Sequence, residues 1–293
     1  MKGKIAKGIA GFYYVYADDG VLYECKAKGI FRKDSLKPLV GDYVEMSVLC
    51  NDRSHPEGSI TDILERRNLL IRPNVANVDQ ALIIFALTSP EPNFVTLDKM
   101  ILQYLSQGVP VVICFNKEDL VSGGNADRVL EDYADCGCEV IITSAANGEG
   151  VDDVRRVLEG KTTTVAGPSG VGKSTIVNML QSDVRMETGD ISAKLERGKH
   201  TTRHSQIIRI SENTYIIDTP GFGSFDLLNI KPEELAGYYE EFSNDEACRF
   251  MPCSHIHEPG CRVKEAVEEG RISKLRYDNY VYIYNELNKN RRY

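Results

Sequence analysis

Residues 167–174 read Gly167-Pro168-Ser169-Gly170-Val171-Gly172-Lys173-Ser174 and meet every fixed position of the pattern G-x-x-x-x-G-K-[ST]. Glycines at that spacing let backbone N–H groups curl around phosphate oxygens, and a helix opening at Lys173 adds the partial positive charge of its N-terminus. Lys173 can place an ammonium on β- and γ-phosphate oxygens, Ser174 can give its hydroxyl to Mg²⁺, and Thr175 joins the same set. A Gly-rich turn into an ordinary helix is the bland alternative. The apolar run before the motif and the helical pattern after it argue against that alternative. Asp218-Thr219-Pro220-Gly221 follows another apolar run. A carboxylate at the C-terminal end of a strand sits at the ligand edge of a parallel sheet. There Asp218 can hold Mg²⁺ through water, and the Gly221 amide can sense a γ-phosphate.

Asn116-Lys117-Glu118-Asp119 supplies a base reader of the form N-K-x-D. The Asp119 carboxylate can accept from both N1–H and the exocyclic amino group of guanine, an arrangement adenine cannot offer. The wrong base would leave buried polar atoms unpaired. Asn116 would tie this loop to the phosphate loop, and the Lys117 stem would cover the base. Ser144-Ala145, past a further apolar run, can bring backbone amides to the guanine carbonyl. The implied ligands are GTP and GDP. The usual order of these motifs starts with the phosphate loop, whereas here the base reader precedes it. A circular permutation accounts for the reversal without altering the site, because termini of compact domains often lie close together.

Between these motifs, residues 197–204 read Arg-Gly-Lys-His-Thr-Thr-Arg-His. A Thr hydroxyl here can complete the Mg²⁺ shell while a γ-phosphate is present, and Thr202 is favoured over Thr201. Phe222 stands where many GTPases keep a Gln that orients water, and Phe cannot hydrogen-bond to water. Another group must serve, and His200 is the nearest by sequence; the alternative is that His200 is only a loop residue. Slow basal hydrolysis is expected either way.

Cys248, Cys253, His255 and Cys261 gather three thiols and an imidazole within one short stretch. Cys₃His is a closed tetrahedral set of the kind that holds a structural Zn²⁺. His257 is a rival for the imidazole position. Cys136 and Cys138, with Cys25, Cys50 and Cys114, read as ordinary structural cysteine.

The surrounding pattern shows what must position these groups. The chain has 293 residues, 42% of them hydrophobic and 27% charged, which suits two or three domains of an ordinary folded protein. Residues 1–68 read as short alternating strands, with Asp18-Asp19-Gly20 as a hairpin turn and further strands at 43–49 and 58–63. A small antiparallel barrel of the oligonucleotide-binding (OB) type is expected. Residues 69–225 alternate apolar strands (81–87, 111–115, 140–143, 162–166, 207–210, 215–217) with amphipathic helices (95–107, 125–136, 151–158, 173–180). That is the signature of an α/β domain with a mostly parallel sheet. Residues 226–293 read as a helical zinc-binding domain. Eight Cys and five His fit a reducing compartment with a metal site better than a disulfide framework. The net charge of −8 argues against a surface that binds polyanions everywhere. Lys2, Lys4 and Lys7 are followed too soon by Asp18 and Asp19 for a signal peptide, and runs 81–87 and 109–115 are too short to span a bilayer. A cytoplasmic, monomeric protein with no membrane partner is expected.

Taken together, residues 116–119, 167–174, 198–202 and 218–221, with the Cys248/Cys253/His255/Cys261 spacing, resemble the circularly permuted small-ribosomal-subunit biogenesis GTPases, the RsgA group. The resemblance covers essentially the whole chain. It implies an OB-type barrel, a permuted GTPase domain and a C-terminal zinc domain. It further implies slow GTP hydrolysis stimulated by the small ribosomal subunit, and a role in that subunit's late maturation. In that family the histidine matching His200 is implicated in hydrolysis. The residues alone reach less far. Lys26, Lys28, Arg32, Lys33 and Lys37, with the strand tyrosines, could meet rRNA by charge and stacking or could form a solvated face. The basic tail at 289–292 leaves the same choice open. Two other functions stay in view: a GTP/GDP-gated binding switch, and a small-molecule kinase, which the base reader and the Thr pair disfavour.

Overall fold

The computed structural model describes residues 1–27, 37–52, 54–71, 73–121, 125–188, 205–218, 227, 230–243 and 247–290. By its contacts the chain forms two compact units. The first comprises Met1–Gln80, Arg155–Val165 and Asn178–Pro220, and the second Ala81–Val154, Ala166–Val177 and Gly221–Tyr293.

The first unit holds a closed barrel of order β1-β2-β3-β5-β4, made of β1 (Lys2–Ile9), β2 (Phe12–Ala17), β3 (Leu22–Ala27), β4 (Tyr43–Cys50) and β5 (Glu57–Ile63). Ladders are antiparallel except β3 with β5. Alternation sends Val15, Ala17, Tyr23, Cys25, Val44, Met46, Ile60 and Ile63 into the core with Ile5. The sequence reading missed β1 as a separate strand. Gly3, Lys4, Lys7 and Gly8 break its alternation, and the register shifts between Ile5 and Lys7.

The stretch leaving the barrel carries a two-residue pair, β6 (Leu69–Leu70) with β7 (Val75–Ala76). Side chains tie it down. Asn68 bonds both the N–H and the carbonyl of Val78 at 2.9 and 2.7 Å. Asp79 accepts from Thr162 N at 2.7 Å through Oδ2, and Arg67 pairs with its Oδ1. Lys4 is buried on the barrel's outer face, where its Nζ donates to Tyr43 Oη and Thr162 Oγ1 and lies over the Tyr43 and Tyr215 rings.

Six further strands belong to the α/β part of the chain, in two runs of three. In the first unit, β11 (Thr162–Ala166) runs parallel to β13 (Thr214–Asp218), which pairs antiparallel with β12 (Gln206–Ser211). In the second, β8 (Gln80–Ala86), β9 (Val111–Asn116) and β10 (Glu139–Thr143) are parallel in the order β10-β9-β8. Every residue of β8 and β9 is buried, which is why both read as unbroken apolar runs.

The helices are α1 (Phe94–Leu105), α2 (Asn125–Tyr133), α3 (Val151–Leu158), α4 (Lys173–Thr188), α5 (Arg262–Glu268) and α6 (Lys274–Asn290). Asn93 caps α1 by accepting from Thr96 N at 2.9 Å. In the second unit, α5, α6 and two 3₁₀ segments (Pro232–Tyr238 and Glu240–Phe242) share a core of Leu235, Tyr239, Phe242, Val263, Ala266, Tyr280 and Ile283 with Leu102 of α1. Among the described residues, no helix is long and apolar enough to cross a membrane.

Candidate functional site

Asn116, the last residue of β9, is the junction of the second unit's loops. It is buried, and its Nδ2 donates to Val171 O of the phosphate loop at 2.8 Å. Its Oδ1 accepts from Thr143 Oγ1 and from Ala145 N, each at 3.0 Å. One amide thus fixes the base-reading loop, the phosphate loop and the Ser144-Ala145 loop together. Two glycines make room for this. Gly172 has φ +99°, and a Cβ there would stand 2.2 Å from Asn116 Nδ2; Gly167 has φ +142°, with a Cβ 2.1 Å from Ile84 O. A side chain at either position would collide and strain the backbone.

The other base-reading residues gather on the same loops. Asp119 Oδ1 accepts from Ser144 Oγ at 2.7 Å, and Ser144 is bridged to Glu149 through N–H···O bonds of 3.0 and 3.1 Å. Lys117 has a left-handed backbone, φ 68°, and its Nζ donates to Ser89 O. In the phosphate loop, Lys173 opens α4 and its Nζ reaches back to the carbonyls of Gly167 and Pro168. Ser174 and Thr175 are exposed on the first turn of α4. The helix thus begins where the motif requires, so that the partial positive charge of its N-terminus lies at the loop.

In the first unit, Asp218 ends β13, opposite Val165 near the end of β11 and opposite Gln206 of β12. His200, Thr201, Thr202, Gly221 and Phe222 lie outside the described residues, as do Lys28, Arg32 and Lys33 of the barrel. On the barrel, Lys7 stacks over Tyr14 at 4.6 Å and Lys26 over Phe12 at 5.0 Å, so cations and aromatic rings are interleaved across β1, β2 and β3.

Cys248, Cys253, His255 and Cys261 come together, with one donor atom from each lying within 4.8 Å of all the others. His255 Nδ1 stands 3.3 Å from Cys261 Sγ and 3.7 Å from Cys248 Sγ. His257 is exposed and outside the group. Burial pushes the Cys253 thiol up to about 12 and lowers the His255 pKa. Three thiols and a neutral imidazole at this spacing fit a soft dication, which would offset the burial penalty on the thiolates. The loop is held from α6: Tyr277 Oη donates to His255 O and Tyr280 Oη to Ser254 O, both at 2.7 Å.

Comparison with known proteins decides the family. Residues 63–228 match the family model described as RsgA GTPase, and residues 2–55 match that of the RsgA N-terminal domain. The chain belongs to the RsgA GTPase family. It is 54% identical to the small ribosomal subunit biogenesis GTPase RsgA of Agathobacter rectalis, over 100% of both chains. It is 46% identical to the protein of that name from Alkaliphilus metalliredigens, over 100% of this chain and 99% of the other. Among solved structures, YjeQ from Thermotoga maritima aligns with a TM-score of 0.80 and 35% identity, covering 98% of each chain. YloQ, described as a circularly permuted GTPase, gives 0.80 and 34% over 99% of this chain and 95% of that one. This RsgA-family chain is therefore a GTP-hydrolysing enzyme on a circularly permuted fold.

Several groups around the RsgA site escaped the sequence reading. Thr143 orients Asn116, Ser89 receives Lys117, and Glu149 braces Ser144. Thr143 had a signal, since it closes the strand directly before Ser144. Ser89 had none, because a backbone carbonyl acceptor leaves no trace in residue type.

Proposed function

We propose that this GTPase binds the small ribosomal subunit in the cytoplasm and assists or checks its late maturation, with slow basal turnover that the subunit accelerates. The names of the full-length relatives support the biological role, and the Asn116 junction supports the chemistry. Asn116, Lys117, Asp119, Ser144 and Ala145 would read guanine. Residues 167–175 would cradle the phosphates, with Lys173 leaving its loop carbonyls for β- and γ-phosphate oxygens. Ser174, Asp218 and Thr202 would hold Mg²⁺, which supplies charge neutralisation at the phosphates. Thr201 and the Gly221 amide would lie at the γ-phosphate, and His200 would orient the attacking water. The Cys₃His cluster would hold one structural Zn²⁺. The division into residues 1–68, 69–225 and 226–293 gives three working parts. In the first of these, the Phe12/Lys26 and Tyr14/Lys7 pairs suit stacking on rRNA bases and contact with phosphates. The protein would act as a monomer.

The test is GTP hydrolysis by purified protein with and without purified small subunits. A slow rate that rises sharply with small subunits, but not large ones, is expected. A rate indifferent to small subunits overturns the ribosomal role and favours the GTP/GDP-gated switch, which Phe222 in place of Gln keeps in view.

A further inference from the structure

Asp98 lies in α1, five residues after the cap Asn93, and is 0% exposed. Three side chains converge on its carboxylate. Tyr133 Oη, from the end of α2, donates to Oδ1 at 2.9 Å. Arg276 of α6 donates to the same oxygen, and Asn279 Nδ2 of α6 donates to Oδ2 at 2.8 Å. The Arg276 guanidinium is 2% exposed, donates to Glu241 Oε1 at 2.8 Å, and lies over the Tyr133 and Tyr239 rings. Burial alone would weaken this cation. Asp98 and Glu241 outweigh burial and hold its pKa well above the usual arginine range.

Two of the joined helices start from the loops that meet at the nucleotide site. The loop feeding α1 carries Ser89, whose φ is 48°, and a Cβ on Gly170 of the phosphate loop would stand 3.7 Å from Pro90. The loop feeding α2 carries Lys117, also at positive φ. Both partners of the Lys117–Ser89 hydrogen bond thus hold sparsely populated backbone conformations, which persist only where the surroundings fix them. The helices leaving those two loops are fastened to each other at Asp98.

We propose that Asp98, with Arg276 and Asn279, is a positioning residue for nucleotide binding. It locks α1 to α2 and α6 so that Ser89 O meets Lys117 and holds that side chain over the base. The tail helix α6 thereby contributes to guanine affinity without touching nucleotide. This rests on the guanine-reading role proposed for Lys117.

The test is a double-mutant cycle read by binding of fluorescently labelled GDP. Asn279→Ala removes one hydrogen bond to Asp98 and keeps the ion pair; Asp98→Asn removes the charge. Either variant, confirmed folded by circular dichroism, should weaken GDP roughly threefold to tenfold. On a Lys117→Met background the same substitution should have little further effect. Full loss on both backgrounds would overturn the inference, as would unchanged affinity in both variants. If Lys117→Met alone bound GDP like the wild type, the guanine-site reading would fall, and the inference with it.

Discussion

Two joints in this molecule bury a cation, and they do so on opposite terms. In the first unit, Lys4 sits between the barrel and β11, where its direct contacts are two hydroxyls and two aromatic faces. The nearby Asp79 carboxylate, which favours its charge, is itself paired with Arg67. Burial lowers its pKa to about 8. In the second unit, Arg276 lies between two buried carboxylates, Asp98 and Glu241, and its charge is reinforced. The contrast follows from chemistry. A guanidinium offers five donors in a fixed plane and cannot lose its proton, so it suits a closed network. An ammonium whose direct contacts are neutral remains titratable. One joint is brittle toward mutation, and the other is sensitive to pH.

The largest effect is expected at the brittle joint. Arg276→Met should cost about 3–5 kcal/mol of unfolding free energy in urea, because it strands Asp98 and Glu241 as buried charges. Replacing the Asp98–Arg276 pair together, as Asp98→Leu with Arg276→Met, should not lose more than the single change. If Arg276→Met were nearly neutral, the two joints would not differ as described.

The pH-sensitive joint should show itself in alkaline solution. The folded pKa of Lys4, about 8, lies below its ordinary 10.5. Between those values the unfolded chain holds the proton and the folded chain does not, so this group adds stability as pH rises and loses it as pH falls toward 8. The gap in unfolding free energy between the protein and Lys4→Met should move by up to about 3 kcal/mol across that window. A constant gap would mean that Lys4 is solvated.

A smaller loss is expected at the stretch leaving the barrel. Asn68→Ala removes both side-chain bonds to Val78 and should cost about 1–3 kcal/mol in the same assay. The smallest belongs to the exposed pair Lys274–Asp278, a turn or less from Arg276 on α6. Lys274→Ala should cost about 0.5 kcal/mol or less and fade with added salt. A large loss there would show that burial is not what separates strong from weak pairs on this helix.

What was legible in the sequence follows from distance along the chain. The phosphate loop, the base reader and the Cys₃His cluster are each written in a few consecutive residues, so spacing alone revealed them. The long runs that became β8 and β9 were legible for a related reason, since strands buried on both faces read as near-continuous apolar runs. Neither joint could be read. Lys4 and Thr162 are 158 positions apart, and Asp98 and Arg276 are 178 apart. Nothing in the residues next to Lys4, Asp98 or Arg276 marks them as buried. The strand β1 was hidden because its glycines and lysines disguise the alternation, and α4 runs on to Thr188, past Leu180, where the sequence reading ends the helix. The Asn116 junction lay between these cases. A tie from its loop to the phosphate loop was foreseen, whereas Thr143 as its second donor came only with the fold.

The guanine reader is best tested by titrating the protein and Asp119→Asn with fluorescently labelled GDP and XDP. Wild type should prefer GDP, and Asp119→Asn should lose GDP and gain XDP, because the new amide donates to the second carbonyl of xanthine where the carboxylate accepted from guanine. An Asp119→Asn protein that still prefers GDP would contradict the assignment of residues 116–119 as the base-reading loop.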